Sequence, residues 1–405
     1  MTFAELGLPP EIVRAVTEKG YTTPTPIQAE AIPLLLQGRD IVGSAQTGTG
    51  KTAAFALPAL ARLGNKHQPQ GPRVLILEPT RELAAQVDEQ FHAYGKFGDC
   101  RVTLVHGGVG YGPQLDGLRE GTDVLVATPG RLLDHMEQRN VSFKNLEIVV
   151  LDEVDRMLDL GFIDDVTRIL NQCPKHRQTL LFSATVADAI KRLISGHMHD
   201  PVDVTIGNRV SPADTVDHAV FPVDGIQKYD LLLAMFQKME YHSVLVFTRT
   251  KRDADRIAEW LEAHNHPVTV MHADRSQKER TEALAGFKSG KYDILVATDI
   301  AARGLDIAGI SHVINYNVPQ HPEDYVHRIG RTGRASREGE AYTLFSSDES
   351  TYLGSIEKLI GRPIERRKLD DFNYRTEPNL NSVPVAAPKR RNRGYATANQ
   401  PFRRR

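Results

Sequence analysis

One hexapeptide occurs twice. Asp123-Val-Leu-Val-Ala-Thr128 returns 170 positions later as Asp293-Ile-Leu-Val-Ala-Thr298. At the same offset Val74-Leu-Ile-Leu77 faces Val244-Leu-Val-Phe247, and Thr80 faces Thr250. Val102-Thr-Leu-Val-His106 matches Val268-Thr-Val-Met-His272 at a slightly different offset. One such match between apolar runs means little, but three in one order indicate tandem duplication of a single domain. Length agrees, since 405 residues exceed the roughly 250–300 at which one core stops growing.

Short apolar, β-branched runs recur in both copies, each followed by a helix-like stretch. The first copy has Ile41–Gly43, Val74–Leu77, Val102–Val105, Val124–Val126, Ile148–Leu151 and Thr179–Phe182. The second has Val244–Phe247, Val268–Met271, Ile294–Val296, Val313–Ile314 and Tyr342–Phe345. Continuous apolar strands alternating with amphipathic segments predict an α/β fold with parallel sheets covered by helices. Turn formers interrupt the pattern near Gly207–Thr215. The expected division is a first domain at 1–206, a linker at 207–215, a second domain at 216–370 and a disordered basic tail at 371–405.

Composition is that of an ordinary globular protein, 40% hydrophobic and 25% charged. Cys100 and Cys173 offer no disulfide framework and no metal-ligand spacing, which fits a reducing compartment. No signal peptide or membrane span is read, and a cytoplasmic location is expected. The net charge of −1 hides an asymmetry, because Asp371–Arg405 carries eight Lys and Arg against Asp371 and Glu377. Such a tail suits either non-specific nucleic-acid contact or simple solubilisation.

The chemistry concentrates in two places. Ile41 through Thr52 reads as a strand, a glycine-rich loop and the start of a helix, with Ala45, Gln46, Thr47, Gly48, Thr49 and Gly50 forming the loop. Converging backbone N–H groups and a helix N-terminus make an anion cradle. Lys51 is placed for the outer phosphates of a nucleotide and Thr52 for Mg²⁺. Ile148-Val-Val-Leu-Asp152-Glu153 puts two carboxylates at the carboxyl edge of the same sheet. Asp152 suits the metal, and Glu153 suits orienting and deprotonating a water. The second copy has no Gly48-Thr-Gly-Lys-Thr52 counterpart, so one nucleotide site serves two domains.

From Phe3 to Ser346 the chain resembles the DEAD-box RNA helicases. Asp152-Glu153-Val154-Asp155 carries Val where the family usually has Ala. The resemblance implies two tandem RecA-like domains, ATP and Mg²⁺ as cofactors, and RNA as partner through largely backbone contacts. Gly20-Tyr-Thr-Thr-Pro-Thr-Pro-Ile-Gln28 resembles the adenine-recognising Q motif, so Tyr21 and Gln28 are expected at the base. Gln28 offers a donor and an acceptor, which match the N6 and N7 edge of adenine. Pro79-Thr-Arg-Glu-Leu83, Gly107-Gly108 and Thr128-Pro-Gly-Arg131 are similar to the family's RNA contacts, which nominates Thr80, Arg81, Gly107, Gly108, Thr128 and Arg131. Asp155, Ser183 and Thr185 are expected to couple hydrolysis to strand separation.

In the second domain Val246-Phe247-Thr248-Arg249, Gln277–Arg280 and Ala297 through Asp306 resemble further motifs of the same family. They nominate Thr248, Thr298 and Gly304 for RNA and Asp306 for nucleotide. His327-Arg-Ile-Gly-Arg-Thr-Gly-Arg334 nominates Arg331 and Arg334 as cations delivered to the phosphates, with His327 expected to meet Asp155 across the cleft. The expected activity is RNA-stimulated ATP hydrolysis by a monomer, coupled to local unwinding. A DNA translocase shares the two-domain layout, and an ATP-independent RNA clamp would use the tail alone; the Q motif and Thr128-Pro-Gly-Arg131 favour RNA over the first, and Lys51, Glu153 and Arg331 argue against the second.

Overall fold

A computed structural model describes the chain except for residues 45–48, 65–66, 68–70, 207–215, 303–306, 308, 334–338 and 382–405. The expected linker and the basic run of the tail therefore lie outside the described residues. The first sheet contains β1 (Ile41–Ser44), β2 (Val74–Leu77), β3 (Val102–Val105), β4 (Val124–Ala127), β5 (Ile148–Leu151), β6 (Gln178–Phe182) and β7 (Val202–Thr205). The second contains β8 (Val216–Pro222), β9 (Val244–Thr248), β10 (Val268–Met271), β11 (Ile294–Thr298), β12 (His312–Asn315), β13 (Gly339–Phe345) and β14 (Glu365–Arg366).

All pairings within these sheets are parallel. The orders are β3-β4-β2-β5-β6-β1-β7 and β10-β11-β9-β12-β13-β8-β14, which correspond strand for strand. The duplication inferred from three matches thus extends to the whole topology: two RecA-like sheets, each covered by helices on both faces.

Period-two alternation divides each sheet's residues between two cores. On β2, Val74 and Ile76 face the helix Lys51–Leu63, while Leu75 and Leu77 join Leu132, Val149 and Met157 on the opposite face. Among the described residues no helix is long and apolar enough to cross a membrane.

The copies part after their equivalent first strands. After β1 the chain runs through the phosphate loop into a helix that begins at Lys51. After β8 it takes only a short turn, Gly225–Gln227, before a helix that begins at Lys228. The Lys228 ammonium is buried and bonds the carbonyls of Tyr316 and Leu344 (3.0 Å each) and Glu349 Oε2 (2.6 Å). A lysine at the same topological position therefore neutralises a carboxylate of its own domain, which leaves it no charge to offer a phosphate.

The tail expected from residue 371 begins later than that. Phe372 and Tyr374 stack edge-on, centroids 4.7 Å apart, and pack against the core beneath β8 and β9. Gln227 ties them down by donating to Asn373 O (3.0 Å) and accepting from Arg375 N–H (2.8 Å). Aromatic burial holds this stretch to the second body, so that body reaches about five residues past the expected edge.

Candidate active site

The functional side chains leave the carboxyl ends of the strands, where parallel α/β sheets place their ligand crevices. Gly50 adopts φ +87°, a conformation glycine reaches without strain. Lys51 follows as the first residue of its helix, 8% exposed, with Thr52 half-buried beside it. Ala45, Gln46, Thr47 and Gly48 lie outside the described residues; Thr49 does not.

Gln28 does more than the sequence suggested. Its Oε1 accepts from Thr25 N–H (2.9 Å), closing a capping box on the helix Pro26–Leu36, and its Nε2 donates to Gly50 O (3.1 Å). The amide therefore clamps the end of the phosphate loop. It keeps a second hydrogen and a second lone pair for a ligand. Tyr21 stands near it in sequence, 46% exposed.

The acidic group is denser than expected. Glu78 follows β2 directly, is fully buried, and among the described residues neither carboxylate oxygen has a hydrogen-bond partner. Sequence reading passed over it, because a lone Glu before Pro79-Thr-Arg carries no local signal. Burial pushes the Glu78 carboxyl well above the usual range, and Asp152 and Glu153 add to the shift. Burial likewise raises Asp152 to about 6, against the pull of Lys51.

Glu153 behaves in the opposite sense. Burial alone would raise it, but the charges of Arg156, Lys51, Arg331 and His327 outweigh burial and hold it below its ordinary value. Arg156 is 5% exposed, with Nη1 3.4 Å from Glu153 Oε2. Glu153 also sits at φ +48°, in the left-handed region. For a non-glycine residue that costs on the order of 1–3 kcal/mol, a strain that clusters at functional sites.

Val154 is fully buried among the apolar side chains beneath the sheet, with its back to the carboxylates. Val154→Ala is therefore a packing change. It should cost about 1.5–3 kcal/mol in denaturant unfolding of the first domain while leaving kcat within about twofold.

Asp155 is engaged inside its own domain. Its Oδ2 accepts from Ala184 N–H and Thr185 N–H (3.0 Å each), and Ser183 Oγ accepts from Asp155 N–H (3.2 Å) while donating to Thr185 O (2.6 Å). Two backbone donors of its own domain anchor the Asp155 carboxylate, while the charge of His327 acts on the neighbouring Glu153.

The two described arginines of the 327–334 segment separate. Arg328 is 2% exposed and forks onto Asp299 (2.7 and 2.6 Å) with further bonds to Asn315 Oδ1 and Asn317 O, locking its helix to the short helix Asp299–Ala302 that follows β11. Arg331, 3% exposed, is felt at Glu153. Arg334 lies outside the described residues, as do Gly304 and Asp306.

A second face gathers the other nominated residues. Thr80 caps the helix Arg81–Tyr94 by accepting from Leu83 N–H (3.4 Å). The Arg81 guanidinium lies against Gly107 and Gly108, so close to Gly108 that a Cβ there would overlap it; Gly108 also has φ +81°. Thr128 stands at the N-cap position of the helix Pro129–Glu137, with no side-chain cap bond among the described residues. Arg131 stacks 4.2 Å above the Tyr111 ring and donates to Val109 O (3.2 Å). Across the cleft Thr248 and Thr298 end adjacent strands side by side in register.

The two domains touch beside this face. Arg280 Nη2 is 2.8 Å from Glu82 Oε1, both nearly buried, and Gln277 bridges Glu82 (3.2 Å) and Arg81 (3.3 Å). Removing one partner leaves a buried charge unpaired, which costs about 2–5 kcal/mol at an interface. Arg280→Ala should raise the RNA concentration for half-maximal ATPase at least about tenfold, and Glu82→Arg with Arg280→Glu should recover part of it.

Comparisons with known proteins agree with this layout. Residues 25–193 match the family described as DEAD/DEAH box helicase, and residues 227–336 match the helicase conserved C-terminal domain. The ATP-dependent RNA helicase DeaD of Mycobacterium tuberculosis is 43% identical over 95% of this chain and 67% of its own length. CshA of Geobacillus kaustophilus, a DEAD-box ATP-dependent RNA helicase, is 42% identical over 91% of this chain and 78% of its own. Saccharomyces cerevisiae Dbp5 bound to RNA and ADP BeF3 superposes with TM-score 0.80 at 32% identity, covering 91% of this chain and 95% of that one. A DEAD box protein from Methanococcus jannaschii is more similar in sequence, 36%, yet superposes at only 0.54 with 91% and 99% coverage. Two domains joined by a linker superpose together only when their relative placement agrees, so the arrangement here is nearer to that of the RNA-bound chain.

Proposed function

Because the chain belongs to the DEAD-box family of ATP-dependent RNA helicases, we propose that it hydrolyses ATP at a site its second domain completes, and that RNA drives the completion. The observation that carries this reading is the meeting of the two domains, where Arg280 pairs with Glu82 and the nearly buried Arg331 of the second domain stands close enough for its charge to act on Glu153 of the first.

In this reading Gln28 and Tyr21 hold adenine, and the backbone from Ala45 to Gly50 cradles the phosphates with Lys51. Thr52 and Asp152 would hold Mg²⁺, which when bound neutralises charge on the transferred phosphoryl group. The surroundings fit a cation that uses few protein ligands: Asp152 ends its strand beside Lys51, and burial raises its carboxyl to about 6, so a bound cation would find a desolvated carboxylate there.

Glu153, held ionised, accepts a hydrogen bond from the attacking water and orients it in line with the terminal phosphorus. As the water oxygen bonds to phosphorus, the bond to the ADP oxygen breaks and the water's proton passes to Glu153. Arg331, with Arg334, stabilises the charge on the phosphoryl oxygens. Asp306 contributes to nucleotide contact.

Arg81, Arg131, Thr80, Thr128, Gly107 and Gly108 take one stretch of RNA backbone, and Thr248, Thr298 and Gly304 the next. RNA that spans both sets holds the domains together and brings Arg331 to the phosphates. Asp155, Ser183 and Thr185 then link the state of the nucleotide to the domain interface, and a bend imposed on one strand opens the duplex locally. Adding RNA or DNA of the same sequence to an ATPase assay tests the partner: RNA is expected to stimulate, and stimulation by DNA alone would overturn the assignment.

A further inference from the structure

Arg131 is held in a way that its own motif does not explain. The Tyr111 ring lies under the guanidinium, 4.2 Å away, and Nη1 donates to Val109 O (3.2 Å). Tyr111 is seated in turn. Its hydroxyl donates to Asp134 Oδ2 (3.1 Å), and the buried His135 ring stands 5.2 Å from its own. Asp134 Oδ2 also lies 3.7 Å from Arg131 Nε, so one carboxylate braces both members of the stack.

The stack joins two segments nominated for RNA. Val109 and Tyr111 lie in the turn after β3 that carries Gly107 and Gly108, while Arg131, Asp134 and His135 lie on the helix Pro129–Glu137. Gln114 secures the same turn by donating to His106 O (3.2 Å) and Gly110 O (3.1 Å). Arg81 completes the group, since it lies against Gly107 and Gly108 and feels the charge of Arg131. Two guanidiniums held near each other repel, and an anion between them relieves the repulsion. The Arg131 side chain keeps 11% of its surface open, and Val109 O takes only one of its N–H groups.

A freely rotating arginine loses side-chain entropy when it fixes a phosphate, and bracing it beforehand removes much of that loss. An aromatic face beneath the guanidinium braces it without occupying its in-plane donors. We propose that Tyr111 is a positioning residue for RNA, whose ring holds Arg131 and the Gly107–Gly108 turn together in the geometry that receives the phosphates of one strand. This rests on the reading of Arg131 as an RNA contact. Nothing in the sequence around Tyr111 signals the role, because its partners come from a helix that begins 18 positions later.

The test is ATPase activity of the full chain, titrated with polyuridylate RNA at several salt concentrations. Tyr111→Ala is expected to raise the RNA concentration for half-maximal activity about five- to tenfold, the range for loss of a partly desolvated cation–π contact. The rate at saturating RNA should stay within about twofold. Loss of one phosphate contact should also flatten the logarithmic dependence of RNA affinity on salt by about 0.7. Tyr111→Phe keeps the ring and should remain within about twofold of the wild type, whereas Tyr111→Leu keeps apolar bulk without the π face and should follow Ala. In an Arg131→Ala background Tyr111→Ala should add nothing, because its effect runs through Arg131. An unchanged half-maximal concentration in Tyr111→Ala, an unchanged salt dependence, or a full further shift in the Arg131→Ala background overturns the proposal. If Arg131→Ala itself responds to RNA as the wild type does, the reading of Arg131 as an RNA contact fails, and the proposal fails with it.

Discussion

Arg331→Ala is expected to lower the RNA-stimulated kcat by about 1,000-fold while leaving ATP affinity within a few fold. An arginine supplied to the phosphoryl oxygens acts on charge that develops mainly in the transition state, and such arginines are worth roughly 10³–10⁵ in rate. Arg331 is 3% exposed and its charge is felt at Glu153, so its guanidinium is already largely desolvated near the site. Lysine in its place should rescue little, since a point charge lacks the planar fork. Steady-state ATPase at saturating RNA, with nucleotide binding measured separately, checks both halves. A fall in affinity equal to the fall in kcat/KM would mean that Arg331 merely binds ATP.

Glu153→Gln is expected to bind ATP and RNA together yet hydrolyse roughly 10²- to 10⁴-fold more slowly, the range for loss of a general base. The amide is isosteric and retains the hydrogen bond that orients water, but it takes no proton. Because hydrolysis no longer resets the cycle, the closed complex should outlast that of the wild type, read as slower release of labelled RNA in the presence of ATP. Burial works against ionisation at this position, and the charges of Arg156, Lys51, Arg331 and His327 offset it. The substitution leaves those cations without their anion, so the variant should also unfold at a somewhat lower temperature. An unchanged rate of hydrolysis alongside that loss of stability would show that Glu153 serves the fold instead of the reaction.

Both predictions concern residues that were legible before any coordinates, and the reason is physical. Buried parallel strands must be continuously apolar, and chemistry must sit where they end. Strands such as Ile148–Leu151 and Val244–Phe247 therefore announced both the sheets and the positions of Asp152 and Thr248. Strands at or near a sheet edge escaped that logic. In β7, Val202 and Val204 alternate with the exposed or half-exposed Asp203 and Thr205, and β14 is two residues long. β8 contains Asp217, His218 and Pro222 and so reads as turn, although it lies beside β13 in the position β1 occupies beside β6.

What stayed hidden in the site has a single cause, which is long-range pairing. The pairing of Arg328 with Asp299 has no signal in the sequence. Glu82 and Arg280 lie in separate domains and carry no mutual signal. Glu78 joins the acidic group only because β2 neighbours β5, a fact of topology. Asp155 is anchored by two backbone N–H groups of its own domain, a pairing its motif does not display. Sequence motifs name residue types and leave their partners to the fold.

The account rests on one claim, that hydrolysis waits for the second domain. Single-turnover ATP hydrolysis by the wild type, at saturating ATP with and without RNA, tests it most directly. The account predicts slow hydrolysis alone and a large acceleration by RNA, an acceleration that Arg331→Ala abolishes. Equal rates with and without RNA would contradict it, because the first domain would then be a complete enzyme on its own.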